Sequence, residues 1–302
     1  MKETVHHVKP STQFKRQHKS DYGHEKIEIL YEDKDIIVIN KPSGILSCPY
    51  PGSKSKTVLD LLEKIMRSKG TLSAFHKPCV VHRLDRDTSG VMMFALNENV
   101  QKKIMASWHK MVTERLYRAV AENPKSKEKQ LPLTGLIDEP LAQNSHHIGY
   151  VPHDKNDKAK TVNARTHYKI ICRGTTHTLF ELSLDTGKKN QIRAHLSSKG
   201  YTLAGDENYY ANTDPFFRLA LHARTLEFVH PVTNEKMKFE VPEDEQWLAY
   251  VEKGDSNPRT PIWKEKPAVH EKSIASLENA KTVSRKNFRK MDFIQRGKNF
   301  SR

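Results

Sequence analysis

Apolar residues come in this chain as short runs of strand length closed by turn formers, a pattern that constrains the fold more than any other feature. Ile27-Glu28-Ile29-Leu30-Tyr31 and Asp35-Ile36-Ile37-Val38-Ile39-Asn40 are β-branched runs split only by Glu32-Asp33-Lys34, the spacing of two strands joined by a tight turn. Lys41-Pro42-Ser43-Gly44 then breaks the second run. Val91-Met92-Met93-Phe94-Ala95-Leu96, bounded by Gly90 and Asn97, is wholly apolar and too short for a core helix, so it predicts a buried strand. Leu179-Phe180-Glu181-Leu182-Ser183-Leu184 alternates most strictly and runs into the turn Asp185-Thr186-Gly187, with a helical stretch that stops at Gly200. Residues 164–171, 221–228 and 237–241 carry further strand signals.

Helical periodicity is rarer. Thr57 opens one helix, with Val58, Leu61, Leu62, Ile65 and Met66 on one face and Gly70 at its end. Asn97 caps a second, with Val100, Ile104, Met105 and Trp108 on its apolar stripe. Strands outnumber helices and several are hairpin-spaced. The expected class is therefore α+β, a mixed and largely antiparallel sheet flanked by helices. The expected domains are a flexible polar arm over residues 1–24, a folded domain over 25–250, and a basic, disordered tail over 251–302 that holds one candidate helix over 273–290. The arm is too short for an accessory RNA-binding domain with its own core. Residues 123–130 and 153–160, rich in Lys, Asn and Asp, predict exposed loops.

Several function classes drop out here. No run approaches the roughly 20 apolar residues of a membrane span, and the N-terminus has charges without a signal-type apolar stretch. Cys48, Cys79 and Cys172 stand singly, which argues against a disulfide framework and a zinc knuckle and fits a reducing, cytoplasmic setting. The 51 lysines and arginines exceed the 36 acids by 15, which points to a polyanionic partner held through its phosphates. In the tail, basic residues alternate with Phe288, Phe293 and Phe300, a pattern able to grip RNA by charge and stacking. Lys54, Lys56, Lys125, Lys127 and Lys129 lie in predicted loops and are expected to rim a cleft.

The densest polar cluster is Val81-His82-Arg83-Leu84-Asp85-Arg86-Asp87-Thr88-Ser89-Gly90, placed directly before the apolar strand. Asp, Thr, Ser and Gly are turn formers, and either acid can serve backbone amides alone. Two arginines beside two acids also suit a carboxylate kept ionised and oriented as nucleophile or base.

His82 through Gly90 matches without a gap the HRLDxxTSG signature of the RluA-type RNA pseudouridine synthases. The resemblance extends in order along the chain. Lys41-Pro42-Ser43-Gly44 looks like the family's KPxG element, and Glu114 through Val120 is similar to KxYxAxV. Thr186 through His195 resembles TGRxHQIRxH, Gly205-Asp206 with Tyr209 matches GDxxY, and Leu221-His222-Ala223 through His230-Pro231 resembles LHAxxLxFxHP. The elements span residues 27–242.

The resemblance implies a pseudouridine synthase fold with a central RNA-binding cleft, and a reaction that breaks the N1–C1′ bond of a uridine, turns the uracil and rejoins it through C5. No redox change occurs, so no nicotinamide, flavin or metal is called for, and no cofactor is expected. Asp85 is the candidate catalytic carboxylate, attacking C1′, adding to the ring or removing the 2′ proton. Arg193 is implied as its ionic partner, and Tyr117 as the residue that stacks on the uracil and completes proton transfer at C5. The expected RNA contacts are His82, which also packs the loop, Arg83, which fills the gap left by the flipped base, and Arg86, Lys188, Asn190 and Gln191.

Two departures from the family pattern stand out. Arg115 replaces the Lys two residues before the Tyr, and Lys188 and Asn190 replace the Arg and His of TGRxHQIR. Asn190 keeps hydrogen-bonding capacity and gives up titration. Neither departure falls on Asp85, Tyr117 or Arg193, so the expected activity stands, with altered RNA contacts near Lys188 and Asn190. The implied partner is structured ribosomal or transfer RNA, with no membrane and no DNA, and a monomer is the simplest state. The competing readings are a catalytically silent RNA-binding or ribosome-assembly protein on the same fold, and a metal-dependent nuclease using Asp85, Asp87 and nearby histidines, whose acids lack a two-metal arrangement.

Overall fold

The computed structural model describes residues 4–7, 27–53, 55–152, 159–255 and 261–264. The chain divides into two units, Met1–Arg259 and Thr260–Arg302. In the second, the described residues form one 3-10 turn, Ile262–Lys264. The proposed helix over residues 273–290 lies outside the described residues.

The first unit runs β1 (Thr4–His7), β2 (Glu28–Glu32), β3 (Ile36–Lys41), α1 (Val58–Ser68), β4 (Cys79–Val80), β5 (Ser89–Ala95), α2 (Glu98–Met111), β6 (Val112–Glu122), β7 (Thr134–Asp138), β8 (Ala142–Gln143), β9 (Gly149–Tyr150), β10 (Arg165–Arg173), β11 (His177–Leu184), α3 (Gln191–Ser198), β12 (Leu221–Val229), β13 (Lys236–Glu240) and α4 (Glu245–Lys253). Its main sheet has the order β2-β3-β5-β12-β6-β11-β10-β7, with β4 on β5, and β13 and then β1 continuing from β12. All pairings are antiparallel except β5 with β12 and β1 with β13. The fold is the expected mixed, largely antiparallel sheet flanked by helices. Within the segment expected as a polar arm, Thr4–His7 is a strand in register with Met237 to Glu240.

The continuous apolar runs become strands buried on both faces, which is why they do not alternate with polar residues. Ile37, Ile39, Met92 and Phe94 point into a core shared with α1 and α3. Their neighbours Ile36, Val38, Val91 and Met93 point into a second core under α2. Each such aliphatic or aromatic side chain contributes roughly 1.5–3 kcal/mol when fully buried. At α1 the Thr57 and Asp60 side chains each bond the other's backbone amide, a capping box that fixes where the helix starts. Asn97 accepts from the Val100 amide and starts α2 as predicted.

Two differences bear on the site. Met105 of α2 is exposed and Trp108 half-buried, so the buried stripe is narrower than the periodicity suggests. Helix α4 runs past Tyr250, the expected end of the folded region, and Val251 is fully buried against the sheet.

Candidate active site

Residues 81–88 connect β4 to β5, and their backbone is gripped from several directions. Lys41, at the end of β3 and fully buried, donates from Nζ to the carbonyls of Pro42, Arg86 and Thr88 at 2.8–2.9 Å. Ser43 Oγ donates to the Asp87 carbonyl at 2.7 Å. Ser47 Oγ donates to the Leu84 carbonyl at 2.7 Å and accepts the Leu84 amide at 3.1 Å. At the far end Ser89 Oγ donates to His222 Nδ1 at 2.7 Å and accepts from Arg218 Nη2 at 2.6 Å. His222 Nε2 in turn donates to the Val241 carbonyl at 2.8 Å, which fixes its neutral tautomer. Gly90 closes the loop with φ +114°, and a Cβ there would lie 2.1 Å from the Ala223 carbonyl oxygen of β12. Only glycine allows β5 to meet β12 at this distance.

The loop so held presents Asp85 to a cleft of about 420 Å³ between α2, β6 and the turn before α3. Tyr117, on β6, is buried beneath it, paired in register with Leu182 and Ala223. Burial pushes the Tyr117 phenol up, with the Asp85 charge adding to that and Arg115 opposing it, so it is a neutral O–H at physiological pH. Arg193 reaches the cleft from the first turn of α3. Its Nε and Nη2 make a bidentate pair with fully buried Asp206 at 2.7 and 2.6 Å, its guanidinium lies 5.3 Å from the Tyr209 ring centre, and Nη1 stands 3.6 Å from Asp85 Oδ2. Burial works against the guanidinium charge, but Asp206 and Asp85 outweigh it and raise the Arg193 pKa.

Asp85, Tyr117 and Arg193, far apart in sequence, thus converge on one cleft. The expected ionic partnership of Arg193 with Asp85 is present at the longer distance, and the close partner is Asp206. Neither departure falls on Asp85, Tyr117 or Arg193, but one of them is in contact with Asp85: Asn190 Nδ2 donates to Asp85 Oδ2 at 2.8 Å. Asn190 also lines the cleft but is buried, with little surface turned to solvent. Gln191, likewise expected to meet RNA, is buried with its amide spent inside the protein. Its Oε1 accepts from Thr186 Oγ1 and the Lys188 amide, and its Nε2 donates to the Arg165 carbonyl and Thr166 Oγ1. His82 packs on Trp108 at 4.9 Å and accepts the Met93 amide on Nε2 at 3.0 Å. Burial and the Arg115 charge push its pKa down to about 3, so it is neutral.

Arg83 and Lys188 line the cleft and are exposed, and Arg83 has no hydrogen bond or ion pair among the described residues. Arg86 is exposed outside the cleft lining, as are Lys56, Lys125, Lys127 and Lys129, while Lys54 lies outside the described residues. Trp108, expected on the apolar stripe of α2, packs against the second core and also walls the cleft between His82 and Arg115, whose guanidinium lies 5.9 Å from its ring centre. Asp206, Tyr209 and Lys41 stand in motifs visible in the sequence, yet their support of Arg193 and of the loop was not read there.

Among the described residues one group has metal-ligand spacing: Asp33, Asp35 and His230, with donor atoms within 4.8 Å of one another. Its protons argue against an ion. His230 Nδ1 accepts the Val232 and Thr233 amides at 3.2 and 3.0 Å, so the neutral ring carries its proton on Nε2, which faces Asp33 Oδ2 at 3.0 Å. That nitrogen has no lone pair for a metal.

Known proteins resemble this chain over much of its length. A family model described as RNA pseudouridylate synthase matches residues 35–198. The chain is 33% identical over 227 residues to the Bacillus subtilis protein named Uncharacterized RNA pseudouridine synthase YlyB, covering 75% of this chain and 72% of that one. It is 32% identical over 236 residues to the Ribosomal large subunit pseudouridine synthase D of Zymomonas mobilis, covering 74% and 71%. The protein of that name from Pseudomonas aeruginosa is 33% identical over 239 residues, covering 74% and 71%. Among solved structures, Human RNA Pseudouridylate Synthase Domain Containing 4 has a TM-score of 0.57 at 22% identity, over 73% of this chain and 90% of that one, a likeness of fold.

Proposed function

The chain belongs to the RNA pseudouridylate synthase family, and from that premise we propose that it isomerises specific uridines of ribosomal RNA to pseudouridine, with Asp85 as the catalytic carboxylate. The observation that carries the reading is the state of Asp85. A rigid loop holds it in the cleft, Asn190 and Arg193 approach Oδ2, and Oδ1 has no hydrogen bond among the described residues. One oxygen is anchored and the other is free to act at the reacting sugar or base.

Isomerisation needs the N1–C1′ bond broken, the detached uracil retained and turned, C5 joined to C1′, and the C5 proton removed while N1 gains one, so that the product is an isomer of the substrate. Asp85 supplies the charge that meets the electron-poor sugar or the ring. Tyr117 offers an aromatic face to stack on the uracil and, being held protonated by burial, an O–H to steady the turning ring. Arg193 keeps positive charge beside the carboxylate throughout. The target base must leave its helix to reach this depth, and Arg83, exposed at the cleft and uncommitted, fills the vacated stack. Exposed Lys188 meets the phosphate backbone.

Ribosomal RNA is the preferred substrate because two of the relatives above carry it in their names. Under this reading the enzyme works as a monomer in the cytoplasm on structured RNA, without DNA. The test is to incubate the protein with large-subunit ribosomal RNA and with transfer RNA, both transcribed in vitro, and to map carbodiimide-dependent reverse-transcription stops. New stops are expected on ribosomal RNA with wild type and none with D85N. Stops confined to transfer RNA would move the substrate, and equal stops with D85N would remove Asp85 from the chemistry.

A further inference from the structure

We propose that Asn190 is the positioning residue for Asp85, its side-chain amide rather than the Arg193 guanidinium aiming the carboxylate into the cleft. The proposal rests on the pseudouridine synthase reading of this site and adds to it a residue whose family counterpart is usually a histidine.

Among the described residues, Asn190 Nδ2 is the only group within hydrogen-bond distance of the Asp85 carboxylate, at 2.8 Å. Arg193 stands at 3.6 Å with its two best-placed donors committed to Asp206. An ion pair at that range supplies field with little direction, whereas a hydrogen bond specifies which oxygen is held. The amide's own orientation is set from behind: Asn190 Oδ1 accepts the Gly149 amide at 3.3 Å, so the NH₂ end must face Asp85.

The backbone at Asn190 is arranged around this contact. The residue sits in the left-handed region, φ 58° and ψ 19°, a conformation that asparagine adopts more readily than other non-glycine residues. It occupies the N-cap of α3, where asparagine ordinarily accepts from the helix's own amides, yet it makes no such bond. A strained turn and a forgone cap place both ends of one amide between the Gly149 peptide and the carboxylate. The residue is also 7% exposed, which leaves it little surface for RNA. Being uncharged, it holds an anion without titrating.

The test is N190G, because glycine takes the left-handed backbone at no cost and removes only the side chain. With in vitro transcribed large-subunit ribosomal RNA, the single-turnover rate is expected to fall by about tenfold or more, the loss of one hydrogen bond to a charged group, while RNA affinity stays unchanged. N190H is expected to recover part of that rate and to add an ionisation to the pH profile that wild type lacks. An unchanged rate for N190G, or a loss confined to RNA affinity, overturns the proposal. A crystal structure of N190G reads the same point without catalysis: the Asp85 carboxylate is expected to reorient, and one left in place would overturn the proposal. Wild-type protein that modifies no RNA sinks the functional reading alone and leaves this structural test standing.

Discussion

Arg193 gives its two shortest bonds to Asp206 and only its third nitrogen to Asp85, so the arginine is secured by one acid and lends its field to the other. Asp206 has no exposed surface, and removing its charge leaves a buried guanidinium short of a partner. D206N is therefore expected to cost about 3 kcal/mol in chemical denaturation, as broken buried pairs do, and to slow modification of RNA. A loss under about 1 kcal/mol would mean that Asp85 closes up and compensates. At this scale the sequence was partly readable. Asp85, Tyr117 and Arg193 stand inside contiguous motifs whose residue types fit the chemistry. Asn190 stood in a motif too, but its meaning depends on a left-handed turn and on a carboxylate 105 residues earlier, and neither is written in local spacing.

Between residue and fold, the loop that carries Asp85 is the lead-in to strand β5. Gly90, the second residue of that strand, lets β5 lie parallel to β12, and the approach is to backbone atoms that have nowhere to move. G90A is expected to destabilise the protein by about 3 kcal/mol or more, combining overpacking with a disallowed φ, and to abolish activity in whatever fraction folds. Thermal melts check the first expectation, and a variant as stable as wild type would show that the parallel pair is dispensable. The long apolar runs announced β3 and β5 because burial on both faces leaves no polar position. The two-residue strands β8 and β9 had no such signature, since their register comes from the turn between them and from bonds to the rest of the fold. Trp108 follows the helical period of α2 and packs against the second core, yet it also edges the cleft, a double role that apolar periodicity does not resolve.

For the molecule as a whole, the buried histidines set a pH limit. Burial pushes the His222 pKa down to about 3, so the folded protein leaves it neutral while the unfolded chain takes up a proton below the ordinary 6.5. The unfolded state then binds more protons, so stability is intact above about pH 6.5 and is lost as pH falls toward 3, by up to about 1.4 kcal/mol per pH unit for this one group. Urea midpoints compared at about pH 7 and about pH 4.5 should show the decline, and H222N should flatten it; a variant with the same slope as wild type would assign the loss elsewhere. The same residue has a consequence in time. Ser89 is clasped by a histidine 133 positions downstream. The region matched by the family model ends at residue 198, before β12 begins. A ribosome making this chain therefore joins Asp85, Tyr117 and Arg193 into it before the strand that completes their support. Over the 133 positions that separate Ser89 from His222 the nascent protein carries its signature without its clasp, and the site takes its full shape late in the making of the folded unit.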